Sequence, residues 1–359
     1  MRTANSWRSI LGLALALAMI GAPAPAGPGG SARPTPATPQ LVAFYIPWDA
    51  AALASLKAHV NQVDVFSPMW ASLVAPSGKL VWESDEEAHA VLAAASRRPK
   101  VVPIVSNAHD DVWDSRAAEG VITDDRATAV LAANLVARAK SDPFAGVVVD
   151  FENLTPGASA GYAAFLGRLR ARLRPAGLEV WTTATLTEED KVGDLSSVAD
   201  AVVLMAYDQC WASSTPGPIA DDAWLRANLA AKLAGHDPRR YVVALAAYGY
   251  DWPKGRKGAV IAASAAARLA LRTGQPVQHA AGSNAHFGYT AANGARHEVW
   301  YADAADFARQ RAIAGQRGVR GVALWRMGLE DPGLWTARAA VPSVTAAGAT
   351  AFDCEPLAR

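Results

Sequence analysis

Phe144-Ala-Gly-Val-Val-Val-Asp-Phe-Glu-Asn153 is the stretch on which the fold turns. Val147, Val148 and Val149 run into Asp150, Phe151 and Glu152, the pattern of a strand buried on both faces whose last residues leave the apolar layer at an open end. Residues two apart on a strand share a face and lie ~6.5 Å apart at a rise of ~3.3 Å per residue, so Asp150 and Glu152 point into one space. A strand end that has merely reached solvent also carries acidic residues. The surrounding chain has to separate the two cases.

Seven other apolar runs have strand length. They occupy residues 41–46, 63–66, 100–105, 178–183, 201–208, 241–246 and 321–325. Helical patterns fill the spaces between them, at about 50–60, 85–96, 126–140, 159–173 and 221–234. Strands separated by helices, none at hairpin spacing, require parallel pairing with right-handed crossovers, and eight such strands close a (β/α)8 barrel. The expected fold class is therefore α/β, a TIM barrel.

The seventh connection is too long for one helix. It holds an expected helix at 259–271, a hairpin built from His286-Phe-Gly-Tyr-Thr290 and Glu298-Val-Trp-Tyr301 around Asn293-Gly294, and a helix at 304–314. Asn-Gly between aromatic strands is a strong turn signal. The expected organisation is a barrel over residues 41–338 with a small α+β insertion at about 255–303, followed by a tail at 339–359.

Residues 1–26 have the pattern of a secretory signal. Arg2 and Arg8 precede the apolar run 10–20, and Ala22-Pro23-Ala24 and Ala24-Pro25-Ala26 supply small-residue cleavage sites. The run falls short of the ~20 residues a membrane-spanning helix needs, although an uncleaved anchor is the alternative. The expected location is secreted or periplasmic, without stable membrane insertion after cleavage. Residues 27–40, rich in Pro, Gly, Ser and Thr, read as a linker.

Of the 359 residues 19% are charged, with a formal net charge of +1 and basic residues spread along the chain. That pattern gives no footprint for nucleic acid. The chain holds 12 Trp and 8 Tyr, many at the ends of apolar runs, and flat, partly exposed rings suit stacking on sugars. No His cluster suggests a metal, and His109-Asp110-Asp111 reads as a polar loop. No cofactor is expected. Cys210 and Cys354 are the two cysteines, and spacing alone leaves their pairing open.

In such barrels ligands sit at the carboxyl ends of the strands. The residues there are Tyr45, Trp48, Trp70, Asn107, Asp150, Glu152, Thr185, Tyr207, Asp208, Tyr248, Tyr250, Asp251 and Trp325. For Trp48, Trp70, Tyr248 and Tyr250 a sugar platform and rim packing are both open.

Gly146 to Glu152, Met205-Ala-Tyr-Asp208 and Trp325 together resemble the signature of glycoside hydrolase family 18. Its fourth strand reads Asp-Gly-x-Asp-x-Asp-x-Glu, its sixth Met-x-Tyr-Asp, and a Trp closes the sugar site from the eighth. Asp-Phe-Glu-Asn, Tyr207 to Pro218 and Gly321 to Gly328 look most like the bacterial branch found in spore-cortex and cell-wall enzymes, and in modules fused to polysaccharide deacetylases.

The resemblance implies a retaining, substrate-assisted hydrolase of β-1,4-linked, N-acetylglucosamine-containing polysaccharide, and the chain is expected to be a monomer. Glu152 would be the general acid and base, Asp150 and Tyr207 would act on the N-acetyl group, and Asp208 would support them. Trp325 would floor the sugar site, with Tyr45, Trp48, Trp70, Asn107, Tyr248 and Tyr250 as substrate contacts. Ala145 and Val148 stand where the family has its first and middle Asp, so Asp150 needs another orienting partner, Tyr207 or a backbone donor. A barrel that binds glycan without turning it over is the alternative.

Overall fold

The computed structural model describes residues 39–109, 112–187, 194–336, 352 and 354–357. The expected signal, nearly all of the linker and most of the tail lie outside them. Among the described residues no helix is long and apolar enough to cross a membrane.

Eight parallel strands close on themselves. The first, Gln40–Tyr45, pairs with the eighth, Gly321–Trp325, and with the second, Val65–Pro68 continued by Ala71–Leu73. The third is likewise in two pieces, Lys100–Val101 and Ile104–Ser106, and pairs with both parts of the second. Pro68 and Pro103 sit at these breaks, where a residue without an N–H interrupts the ladder. The circuit continues through Gly146–Asp150, Glu179–Thr185, Ala201–Ala206 and Tyr241–Ala246 back to the eighth strand. This is the (β/α)8 barrel that the sequence leads one to expect.

Alternation sorts each strand into an inner and an outer set. Val42, Phe44, Val65, Ile104, Val148, Trp181, Val203, Ala244 and Ala323 fill the barrel. Leu41, Ala43, Tyr45, Val147, Val149, Val180, Leu204 and Leu245 face out to the helices. Gly146 opens the fourth strand where a Cβ would lie 2.5 Å from the Glu179 carbonyl oxygen, so only glycine permits this approach. The crossover helices mostly open on an acidic or hydroxyl cap. Asp49, Asp85, Asp124, Thr155, Asp221 and Asp303 each accept from first-turn amides.

A small antiparallel sheet follows the seventh strand. Tyr248–Pro253 lies between Ala259–Ala262 and Arg296–Tyr301, and the latter pairs in a hairpin with Ala285–Thr290. Gly294, at φ 82°, makes the hairpin turn. The helix Ala263–Thr273 covers one face through Ala263, Ala266 and Ala270 against Phe287 and Val299. Residues 259–262 are strand where helix was expected, because edge pairing with Tyr248–Asp251 outweighs the helical preference of an Ala-rich run.

Cys210 and Cys354 form a disulfide. The described tail residues also bond to the loop after the sixth strand: Ser214 bridges Pro356, and the Thr215 amide donates to the Glu355 carbonyl at 2.8 Å.

Candidate active site

Phe151 fixes the orientation of the fourth strand's end. It is buried on the outer side against Phe165 and Tyr162 at 5.9 and 6.5 Å, so the pleat turns Asp150 and Glu152 inward. Asn107, at the end of the third strand, holds the Glu152 backbone from both sides. Its Nδ2 donates to the Glu152 carbonyl at 3.0 Å, and its Oδ1 accepts from the Glu152 amide at 2.9 Å. Ser115 donates to the Asn153 carbonyl at 2.6 Å, and Asn153 leaves the strand at φ 54°, a conformation that Asn tolerates better than most residues.

Asp150 and Glu152 open into a cavity of about 680 Å³ whose walls include Phe44, Thr183, Tyr207 and Trp325. A second hollow of about 550 Å³ adjoins it, lined also by Thr185, Asp208, Tyr248 and Tyr250. Glu152, Met205, Tyr207, Trp325 and Arg326 line both, so Glu152 stands where the two halves of one cleft meet. Trp325 is one of the residues shared by both hollows. It stacks on Tyr207 with ring centroids 6.1 Å apart at 14° and meets Phe44 edge-on at 5.4 Å, and a cis peptide joins it to Arg326. Arg326 is ion-paired with Asp49.

The electrostatics follow from burial. Asp150 is buried, and burial raises its carboxyl, while the Thr183 hydroxyl, donating to its Oδ1 at 2.7 Å, works the other way. Glu152 is pushed up to about 7 by burial and by the charges of Asp150 and Asp208. A carboxyl in that range keeps its proton near neutrality, as a general acid must. The Tyr207 hydroxyl, buried and surrounded by the same carboxylates, is held protonated and so has a proton to donate. Asp208, at φ 59°, accepts from Tyr248 and, at 3.1 Å, from Tyr250.

The expected site residues therefore divide. Asp150, Glu152, Tyr207, Asp208, Tyr248, Tyr250, Trp325 and the exposed Trp48 line the cleft. Tyr45, Trp70 and Asn107 do not. Tyr45 has outward register and packs on Phe66, leaving the inward place at the first strand's end to Phe44. Trp70 is buried, donates from its indole to Asp85 at 3.0 Å and stacks on His89. Asn107 is fully buried and spends its amide on backbone. Sequence reasoning missed Thr183, which strand alternation with Trp181 and Thr185 would have placed inward. Asp110 and Asp111 lie outside the described residues, while His109 lines the cavity. Among the described residues no His, Cys, Asp and Glu cluster could hold a metal ion.

Comparison with known proteins matches residues 55–330 to the family model described as Glycosyl hydrolases family 18. A cortical fragment-lytic enzyme of Bacillus anthracis is 27% identical over 218 residues, covering 56% of this chain and 50% of that protein. The chain spans 50–61% of the length of the cortical fragment-lytic relatives it matches. A chitinase from Chromobacterium violaceum superposes with a TM-score of 0.75 at 25% identity, over 83% of this chain and 97% of that one. The spore cortex-lytic enzyme SleL of Bacillus cereus shares the fold at a TM-score of 0.74 and 20% identity, over 84% and 74% of the two chains.

Proposed function

Because this chain belongs to glycosyl hydrolases family 18 and is a glycosidase on that ground, we propose that it cleaves β-1,4-linked glycan containing N-acetylglucosamine, with retention and with the substrate's own N-acetyl oxygen as nucleophile. The supporting observation is the convergence of Asp150, Glu152, Tyr207 and Trp325 on one cavity.

In this mechanism the sugar lies on Trp325, and Glu152, protonated near neutrality, gives its proton to the glycosidic oxygen as the N-acetyl oxygen closes on the anomeric carbon. Positive charge develops on the closing ring. Asp150 stabilises it as a buried carboxylate, and the neutral Tyr207 hydroxyl donates to the same group. Glu152, now ionised, takes a proton from the water that opens the ring. Asp208 acts from behind, as a charge tied to Tyr248 and Tyr250 that raises Glu152. The two hollows on either side of Glu152 would hold the two sides of the scissile bond.

Cell-wall glycan is the favoured substrate class, given the cortical fragment-lytic relatives. Export to the cell envelope accords with the apolar N-terminal run and with the disulfide, since such bonds persist in oxidising compartments. The test is hydrolysis of chitin oligomers, peptidoglycan and poly-N-acetylglucosamine by native protein and by Glu152→Gln. We expect product from at least one glycan and a loss of ~10²–10⁴ in kcat for the variant. No product from any of them, or equal product from the variant, would sink the proposal, and calorimetric binding without turnover would favour a binding module.

A further inference from the structure

We propose that Thr183 is the positioning residue of Asp150, holding its carboxyl by a hydroxyl from the fifth strand where the fourth strand itself offers only Val148 below it; this rests on the proposed role of Asp150 toward the N-acetyl group.

The inward position one pleat before Asp150 is Val148, buried in the barrel and without a polar atom. Nothing on the same strand can hold the Asp150 carboxyl from below. The register between the fourth and fifth strands sets Thr182 opposite Val149, which carries Thr183 to the level of Asp150 and, by alternation, to the cavity side. Thr183 lines the cavity and its Oγ1 donates to Asp150 Oδ1 at 2.7 Å. Its neighbour Thr182 faces the other way, bonded to Tyr162 at 2.8 Å and to the Val149 carbonyl at 3.2 Å. The two threonines thus tie the fifth strand to the fourth on both faces at the level of the catalytic pair.

A hydroxyl and a carboxylate are different partners. A carboxylate can share a proton with Asp150 and repel it when both ionise. A threonine has no proton to surrender in the working range and offers one directional donor, which favours ionised Asp150 and fixes one oxygen while the other stays available to substrate. Removing that donor therefore disfavours ionised Asp150, and the acidic limb of activity, where Asp150 takes up a proton, moves to higher pH. The titratable groups around it are Glu152 on its own strand, Tyr162 on the following helix, Tyr207 and Asp208 after the sixth strand, and Glu83, His109 and Arg326 across the cavity. Thr183 donates to Asp150, and Glu152, raised in part by the Asp150 charge, responds to position 183 through Asp150.

The test measures kcat and KM against pH for native protein, Thr183→Val, Thr183→Ser and Glu152→Gln on whichever of the three glycans is cleaved. Val is isosteric and suits a strand, so the fold is retained. We expect Thr183→Val to lose ~10–100-fold in kcat, the scale of one hydrogen bond to a charged group, with KM little changed and the acidic limb moved up. Thr183→Ser should restore both. A Thr183→Val protein with native kcat and an unmoved acidic limb overturns the inference, as does a Thr183→Ser protein as impaired as Thr183→Val. Should Glu152→Gln be as active as native protein, the glycosidase mechanism itself falls and the inference with it. An inactive Glu152→Gln beside a normal Thr183→Val defeats the role of Thr183 alone.

Discussion

Glu152 is held in a state that costs the fold. Its carboxyl, ordinarily near 4.5, stands at about 7, so between those values the folded protein keeps a proton that the unfolded chain releases. Stability contributed by the protonated form is present below the ordinary value and is lost as pH rises through about 7. Glu152→Gln removes that penalty, and at ~1.4 kcal/mol per unit the gain reaches at most about 3 kcal/mol. The variant should thus unfold at a higher temperature than native protein at pH 8 and at the same temperature at pH 4, while losing activity. Thermal unfolding at the two pH values checks this, and an equal difference at both would contradict it. The acids themselves were readable as a pair from the alternation of Val148, Asp150 and Glu152. Their partners were not, because Thr183 comes from a neighbouring strand and only register brings it opposite Asp150.

The fourth strand acts through its end, and that end is held by Asn107 rather than by anything in its own sequence. Two hydrogen bonds from one buried amide are worth more than their mean when lost, since the Glu152 backbone groups would be left unpaired in a buried place. Asn107→Ala should cost about 1–3 kcal/mol in stability and displace Glu152, lowering kcat at least as much as it raises KM. Denaturant unfolding beside steady-state kinetics checks both, and native kinetics in a destabilised variant would show that the clamp serves the fold alone. The elements were largely legible because the barrel strands are continuous apolar runs and helices separate them. What escaped was which residue of each strand end faces in. Tyr45 and Trp70 look like sugar platforms in the sequence, yet a single step of register gives the inward place to Phe44, and Asp85 holds Trp70 in the outer layer. The strand at Ala259–Ala262 escaped because its Ala-rich run carries a helical preference that pairing with the nearby Tyr248–Asp251 overrides.

Across the whole molecule, the Cys210–Cys354 disulfide spans 144 residues of sequence and ties the described part of the tail to the loop that carries Asp208. Phe352 extends the tie, meeting Trp300 of the insertion sheet at 5.3 Å. A crosslink that closes so long a loop chiefly restricts the unfolded chain and contributes about 2–5 kcal/mol. Cys354→Ser should lower the midpoint of thermal unfolding by ~5–10 °C, and reductant should do the same to native protein. A midpoint unchanged in both would mean that the tail adds nothing to the barrel. Two cysteines in a sequence cannot announce their pairing, because only the fold shows that the chain end returns to the loop after the sixth strand.

In the proposed mechanism the substrate supplies its own nucleophile while Glu152 supplies the proton. The measurement that bears on this most directly is the rate of hydrolysis of matched β-1,4-linked oligomers bearing N-acetyl or N-trifluoroacetyl groups, whose carbonyl oxygens differ greatly in nucleophilicity and little in size. Substrate assistance predicts that kcat falls by at least ~100-fold on the trifluoroacetyl oligomer, equivalent to about 2.7 kcal/mol on the barrier, with KM similar. Equal rates on the two oligomers would contradict it and would assign the attack on the anomeric carbon to a protein carboxylate or to water.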